Sequence, residues 1–258
     1  MYPALRNLEG GHLDLKAELA AWLETLLSPE RLARIERVLD QRTRKVTVVL
    51  EDLYNWQNAS AALRSCEIFG LQEVHTIENR FEFRRNTHVD LGSSKWLELI
   101  RWAEPGGGNT RACLESLRSR GFRIVAASPH TPAMAPSELE LDQPLALCFG
   151  TELEGLSPEL LELADARVQL PMYGFTRSFN VSVSVALLLN EVIGRLHAGE
   201  STWQLEAEDR TQLRMQWMRK SITHQQALIQ VWLEERGHPV DSIDPLPEDM
   251  PDRGRPRS

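Results

Sequence analysis

The apolar positions change period twice along the chain. Between His12 and Leu27, Leu15, Leu19, Trp22, Leu23, Leu26 and Leu27 recur at helical spacing. Ser28-Pro29-Glu30 then supplies an N-cap, a proline at the first helical position and an acid in the first turn, and Leu32, Ile35, Val38 and Leu39 form a second stripe. Two helices are predicted there. From Val46 the chain alternates β-rich runs with helical stretches. VTVVL at 46–50, VHTI at 74–77, FRIVAAS at 122–128, LALCFG at 145–150 and RVQLP at 167–171 read as strands. Helices are predicted over about 59–69, over 110–120, from Pro158, and from Asn180 to about His197. Continuous apolar strands separated by helices predict an α/β fold with a parallel sheet covered on both faces.

Beyond His197 the pattern is helical again, with Leu205, Leu213, Trp217, Leu228, Val231 and Trp232 as packing positions up to Gly237. Five prolines (Pro239, Pro245, Pro247, Pro251 and Pro256) and few apolar residues then predict an extended or mobile tail. The expected layout is a helical extension over 1–45, an α/β domain over 46–197, a second helical extension over 198–236 and a tail over 237–258.

Composition adds exclusions. With 258 residues, 42% of them hydrophobic and 26% charged, the chain reads as soluble and globular, which removes disorder, collagen and a disulfide miniature. No long apolar run and no hydrophobic leader behind a basic start are present, so a cytoplasmic address without a membrane partner is expected. Cys66, Cys113 and Cys148 are an odd set with no CxxC, and the histidines are scattered, so no metal site is expected.

A net charge of −8 argues against a nucleic-acid partner until its distribution is considered. Residues 134–166 hold eight acids and no base. Residues 31–47 instead carry Arg31, Arg34, Arg37, Arg42, Arg44 and Lys45 against Glu36 and Asp40, and residues 210–233 carry Arg210, Arg214, Arg219 and Lys220 with no acid among them. Each basic stretch reads either as an ordinary solvated helix face or as part of a phosphate-binding surface.

Ligands of open α/β sheets bind outside the carboxyl ends of the strands. Three segments are therefore of interest: the one after 122–128, GTELEGLSP at 150–158 and LPMYGFTRSFN at 170–180. No GxGxxG follows the first strand, and GxxxxGK[ST] and GxSxG are absent, so hydride transfer, P-loop phosphoryl transfer and nucleophile-elbow hydrolysis lack support.

Three stretches then carry a resemblance. NASAALRSCEIFG at 58–70, FGTELEGLS at 149–157 and LPMYGFTRSFNVSV at 170–183 are similar, in order and separation, to motifs one, two and three of the SpoU branch of the SPOUT RNA methyltransferases. SPERLARIERVLDQRTRKVTVVLED further resembles the amino-terminal helix and first strand of the TrmH type, which methylates a D-loop guanosine, position 18, of tRNA. The segment after His197 resembles the carboxy-terminal extension of that type less sharply. The likeness runs from about residue 28 to 235. Relatives that modify ribosomal RNA usually carry a separate amino-terminal RNA-binding domain, for which the front end here leaves no room.

The resemblance implies a C-terminal deep trefoil knot in the α/β domain, a homodimer with the active site at the subunit interface, and S-adenosylmethionine as the methyl donor without metal. It implies that Arg64 activates the ribose 2′-hydroxyl, that Asn58 borders the ribose and orients the arginine, and that Glu152 is the motif-two acid. It further implies that Ser178 and Asn180 contact substrate and support the cofactor loop. The adenine slot would be lined at Ala127, Gly150, Leu170, Met172 and Phe179. Arginine stays protonated in proteins, so electrostatic stabilisation is favoured over a literal base.

Plain local readings stand beside these: Arg64 paired with Glu67 at i+3, Asn58 as an N-cap, Glu152 as a solvated carboxylate, and Ser178 and Asn180 as helix-start residues. Tyr54-Asn55-Trp56-Gln57 stands where tRNA-modifying relatives often have a basic run, and Trp56 reads either as a base-stacking or as a packing residue. The tRNA grip is expected from Arg34, Arg37, Arg42, Arg44, Arg84, Arg85, Arg219 and Lys220. Two alternatives are the same chemistry on ribosomal RNA and an RNA-binding relative without activity; the intact set Asn58, Arg64, Glu152, Ser178 and Asn180 speaks against the latter.

Overall fold

In the computed structural model, which describes residues 11–84, 87–129, 133–151, 153–199 and 202–244, six parallel strands form one sheet. The described residues fall into two compact units, one within 42–204 and the other formed by the two ends of the chain, within 1–41 and 205–249.

The end unit begins with α1 (Gly11–Thr25) and α2 (Pro29–Leu39). Ser28 caps α2 by accepting from the Arg31 N–H, with Pro29 at the first position, as the sequence predicts.

The central unit follows as β1 (Val46–Glu51), α3 (Trp56–Ile68), β2 (Glu73–Ile77), the single turn α4 (Thr87–Asp90), β3 (Glu98–Trp102), α5 (Asn109–Ser119), β4 (Arg123–Ala127), β5 (Leu145–Phe149), α6 (Pro158–Leu163), β6 (Ala166–Val168) and α7 (Val181–Ala198). The strand order is β3-β2-β1-β5-β4-β6. Val48 sits beside Val74 on one side and Leu147 on the other, and Val125 pairs with Leu147.

Strand alternation sorts side chains between two cores. Val46, Val48, Leu50, Leu145, Leu147 and Val125 face α3 and α7, where Ala59, Leu63, Cys66, Val185 and Leu189 meet them. Val49, Ala146, Cys148, Ile124 and Ala126 face α5 and α6, packing on Cys113, Leu114, Leu117 and Leu160. Both sheet faces are thereby dry, which is why these strands read as near-continuous apolar runs. Among the described residues α7 is the one helix long and apolar enough to cross a membrane, but it spends Val185, Leu188, Leu189 and Val192 on the core.

The hydrophobic pattern missed β3. ELIRW at 98–102 forms the edge strand and is only half-buried, so its polar positions stay and are answered by ion pairs. Arg44 forks onto Glu98 at 2.8 Å through both guanidinium nitrogens, and Arg101 grips Glu78 at 2.6 Å. An edge strand needs no two-sided burial, so periodicity does not mark it.

The end unit closes with α8 (Ala207–Lys220), which packs on α1 and α2, and α9 (Gln225–Glu234). Leu15, Leu19, Leu23, Leu213, Trp217, Ile229, Trp232 and Leu233 are buried, and Trp22 stacks on Trp232 at 5.7 Å. The basic run from residue 210 finds its acids here. Arg210 bonds Glu36 and Asp40 at 2.7 Å, and Arg214 bonds Glu36 and, at 2.7 Å, Glu24. Within the segment expected to be tail, Ile243 is buried and the Asp244 carbonyl accepts from Arg219 at 2.9 Å. The remainder of that segment, 245–258, lies outside the described residues.

Candidate functional site

The loops leaving β4, β5 and β6 at their carboxyl ends converge on a cavity of about 280 Å³, near the lower end of small-molecule sites. Phe149, Leu156, Val168, Leu170, Met172 and Phe179 give it apolar walls, and Ser128, Thr151, Gln169, Ser178 and Ser184 add short polar groups. The strands flanking it, β4, β5 and β6, lie on the side of β1 away from β2 and β3. The mouth is therefore beside the point where the strand order reverses, the usual binding crevice of such sheets.

Glycine requirements and one buried carboxylate shape the wall over 150–157. Thr151 and Gly155 exchange both backbone hydrogen bonds at 3.0 Å, closing a tight loop that Gly155 permits with φ of +72°. A Cβ on Gly150 would lie 2.1 Å from the Gly155 carbonyl oxygen, so no other residue fits without moving the loop. Glu51, 2% exposed at the end of β1, holds the far side. Its carboxylate accepts from the Ser157 N–H at 2.8 Å, the Ser157 hydroxyl at 2.7 Å and the Thr110 hydroxyl at 2.8 Å. Ser157 also caps α6 by accepting from the Leu160 N–H at 3.1 Å. Sequence reasoning missed Glu51; the available signal was a charge ending the apolar strand VTVVLE.

Asp52 turns the chain away from the sheet with φ of +54° and is buried. Its carboxylate accepts from the Asn79 and Arg80 N–H groups at 2.9 and 2.8 Å and from Arg80 Nε at 3.2 Å. Arg80 reaches on to Glu154 on the cavity wall. Hydrogen bonds donated to the Glu154 and Asp52 carboxylates push the Arg80 guanidinium up from its ordinary value.

Asn55, not Asn58, caps α3: its side chain accepts from the Gln57 and Asn58 N–H groups at 3.0 and 3.3 Å. Asn58 is thereby released from capping and stands in the first turn, where its Oδ1 accepts from Asn180 Nδ2 at 3.1 Å. Asn180 also caps α7, since its Oδ1 accepts from the Ser182 N–H at 2.9 Å and the Ser182 hydroxyl at 2.7 Å. With that oxygen committed, the amide nitrogen is the group that turns to Asn58. One residue caps and reaches across at once.

Arg64 follows on α3 and is exposed. The i+3 partner suggested for it is taken, because Glu67 accepts from Arg42 at 2.7 Å. Among the described residues no hydrogen bond or ion pair engages the Arg64 guanidinium.

Ala127, Gly150, Leu170, Met172, Phe179 and Ser178 all line the cavity, and Asn58 and Asn180 are joined beside it. Arg64 is not among the lining residues. Glu152 and Arg85 lie outside the described residues.

Two of the basic residues expected to grip RNA are interior groups. Arg42 is 1% exposed, with its guanidinium on the Leu71 carbonyl at 2.5 Å and on Glu67, and burial drives it below its ordinary value against the pull of Glu67. Arg219 is 6% exposed and bonds Gln225 and the Asp244 carbonyl. Arg44 is half-buried and committed to Glu98. Single-stretch charge counting cannot see partners that arrive from distant segments. Arg34 and Arg37 are exposed on α2, Lys220 is half-buried, and exposed Arg84 pairs with Glu82 at 3.0 Å.

A parallel α/β sheet opening on an apolar cavity, with capped helix starts and a bridged amide pair beside it, defines a ligand-binding enzyme domain. A model of the SpoU rRNA Methylase family matches residues 45–190, and the chain belongs to that family. It is 39% identical over 204 residues to the tRNA (guanosine(18)-2'-O)-methyltransferase of Borreliella burgdorferi, covering 79% of this chain and 91% of the relative. The crystal structure of the A. aeolicus TrmH/SpoU tRNA modifying enzyme superposes with a TM-score of 0.66 at 28% identity, covering 75% of this chain and 98% of that one. The SpoU methyltransferase AviRb from Streptomyces viridochromogenes, solved in complex with the cofactor AdoMet, shares the fold with a TM-score of 0.53 at 22% identity over 64% of this chain and 65% of that one.

Proposed function

We propose that this chain is an S-adenosylmethionine-dependent 2′-O-ribose methyltransferase acting on guanosine 18 in the D-loop of tRNA. The observation that carries the reading is the meeting of its three motifs at one place: motifs two and three line the cavity, and Asn58 of motif one bonds Asn180 beside it. The name of the Borreliella burgdorferi relative supports the tRNA guanosine as substrate.

The cavity fits the donor in kind, with apolar walls for a flat base and backbone groups near Gly150 and Leu170 for its edge. Ala127, Gly150, Leu170, Met172 and Phe179 would hold it. When bound, S-adenosylmethionine supplies a methyl group made electrophilic by its sulfonium. This chain's own residues must then place a ribose hydroxyl in line and stabilise the charge that develops on its oxygen. Arg64 suits that role because its charge is exposed and unspent on any described acid. Asn58 and Asn180, holding each other, orient the ribose side, Ser178 completes the substrate contacts, and Glu152 is the motif-two acid that fixes its loop and can pair with the arginine. No metal enters the scheme.

The family also supports a C-terminal trefoil knot in the α/β domain and a homodimer. Exposed Tyr173, Phe175 and Leu153 beside the cavity, with Val183 and Leu187 on α7, give apolar surface for a second copy to cover. The RNA grip falls to Arg34, Arg37, Arg84, Arg85 and Lys220, and the cytoplasm is the expected place of work.

The test is methyl transfer from labelled S-adenosylmethionine to unmodified tRNA transcripts, with the modified nucleotide mapped. Label on the 2′-oxygen of guanosine 18 is expected. Label confined to ribosomal RNA, or none at all, would overturn the substrate assignment or the activity itself.

A further inference from the structure

Two ionisable side chains line the cavity among its described residues, Glu154 and Arg177. Glu154 is already matched, because Arg80 reaches it while also holding buried Asp52. Arg177 is not: it is exposed, and among the described residues it makes no hydrogen bond or ion pair. It stands three residues ahead of the Asn180 cap of α7, an 18-residue helix whose Val181 and Ser184 also line the cavity. No acid occupies the first turn of α7, so that helix start adds positive potential on the same wall. The cavity thus carries an unspent cation beside a positive helix end, which suits a ligand bearing one anionic group.

We infer that Arg177 binds the α-carboxylate of the methyl donor and of the demethylated product, making it a cofactor-positioning residue outside the adenine slot. The inference rests on the cofactor reading above. S-adenosylmethionine and S-adenosylhomocysteine carry a single carboxylate and no phosphate, so one guanidinium is enough to match them. A guanidinium meets a carboxylate through two parallel N–H donors, which fixes the direction of the amino-acid arm as well as its charge. The sulfonium end would thereby be held in one orientation towards the acceptor.

Calorimetric titration of the full chain with two ligands separates this role from a general effect on the cavity. One is S-adenosylhomocysteine; the other is S-adenosyl-3-thiopropylamine, which lacks only the carboxylate. Arg177→Gln should weaken S-adenosylhomocysteine about tenfold, the size of a charge-assisted hydrogen bond partly shared with solvent. It should leave the thiopropylamine within about twofold, and Arg177→Lys should fall between, since lysine keeps the charge without the fork. Equal loss for both ligands, or no loss for either, would overturn the inference. So would intact S-adenosylhomocysteine binding together with weakened tRNA binding, which would place Arg177 on the RNA. Failure of the unaltered protein to bind either ligand would instead sink the cofactor reading, and the inference with it. An unchanged melting temperature in Arg177→Gln excludes loss of fold as the cause.

Discussion

The two ends of the sheet handle charge in opposite ways. At the amino ends of β1, β2 and β3, the carboxylates Glu73 and Glu98 are both answered by arginines. Glu73 accepts from Arg120 at 2.6 and 2.9 Å, Arg44 forks onto Glu98, and His75 Nε2 meets Glu73 at 2.5 Å. Trp102 Nε1 donates to His75 Nδ1 at 3.0 Å, which leaves Nε2 as the nitrogen that donates to Glu73. Burial alone would raise the Glu73 carboxyl, but hydrogen bonds from His75 and Arg120 override it and hold it at about 2. Around the cavity at the other end, Arg177 and, on the outer side of α3, Arg64 remain unspent, while Glu51 and Asp52 are used only to fix loops. The amino end spends its carboxylates on stability, whereas the cavity end pairs Arg80 with Asp52 and Glu154 but still leaves two cations for a ligand.

If that contrast is right, substitutions at the two ends should separate activity from stability. The largest effect is expected from Arg64→Ala, with kcat falling about 10³-fold, or about 4 kcal/mol, as when a group stabilising a developing oxyanion is lost. Its melting temperature should not move, because the side chain is exposed. A loss under tenfold in steady-state assays would remove Arg64 from the chemistry.

Glu73→Gln should do the reverse, lowering the free energy of unfolding by about 3 kcal/mol, the low end for a broken buried pair because Arg120 is partly exposed. Cofactor affinity should be retained. The acid limb carries the sign. A carboxyl held at about 2 when folded, against an ordinary 4.5, contributes stability that is complete above 4.5 and disappears as pH falls towards 2. Denaturant titrations at pH 7 and pH 3 should therefore show less acid loss in the variant than in the parent; equal loss would mean that Glu73 is not the group responsible.

Gly150→Ala is the mildest of the three, at about 1–3 kcal/mol of stability from overpacking against the Gly155 carbonyl. It tests whether the loop's shape serves the cavity. S-adenosylhomocysteine affinity should fall with it, measured by calorimetry beside thermal unfolding. A variant unchanged in both would show that the 150–157 loop relaxes freely.

Much of this was written locally. Ser28-Pro29 and Ser157-Pro158 start helices because a hydroxyl beside a proline satisfies a free N–H, and VTVVL and LALCF are strands because both of their faces must be dry. The same local rules misplaced the cap of α3 by three residues, since Asn55 and Asn58 are both able to cap; in the fold Asn55 caps and Asn58 accepts from Asn180. β3 escaped because an edge strand may keep Glu98 and Arg101 if ion pairs answer them.

The sequence by itself determined the period of the two-sided strands and the long helices, most helix starts, the parallel α/β class and the three motifs whose likeness pointed to an RNA methyltransferase. Each depends on neighbours within a turn or a strand. Only the tertiary structure decided which charges are spent. Arg42 and Arg219 read as surface cations until Leu71, Glu67 and Asp244 close over them, and Arg210 and Arg214 read as a basic run until Glu24, Glu36 and Asp40 arrive from the other end of the chain. Arg177 reads as one more charge in a loop until the cavity forms around it. Coulomb pairing and desolvation act through space, so the fate of a charge is set by residues the chain brings near it, not by those beside it in sequence.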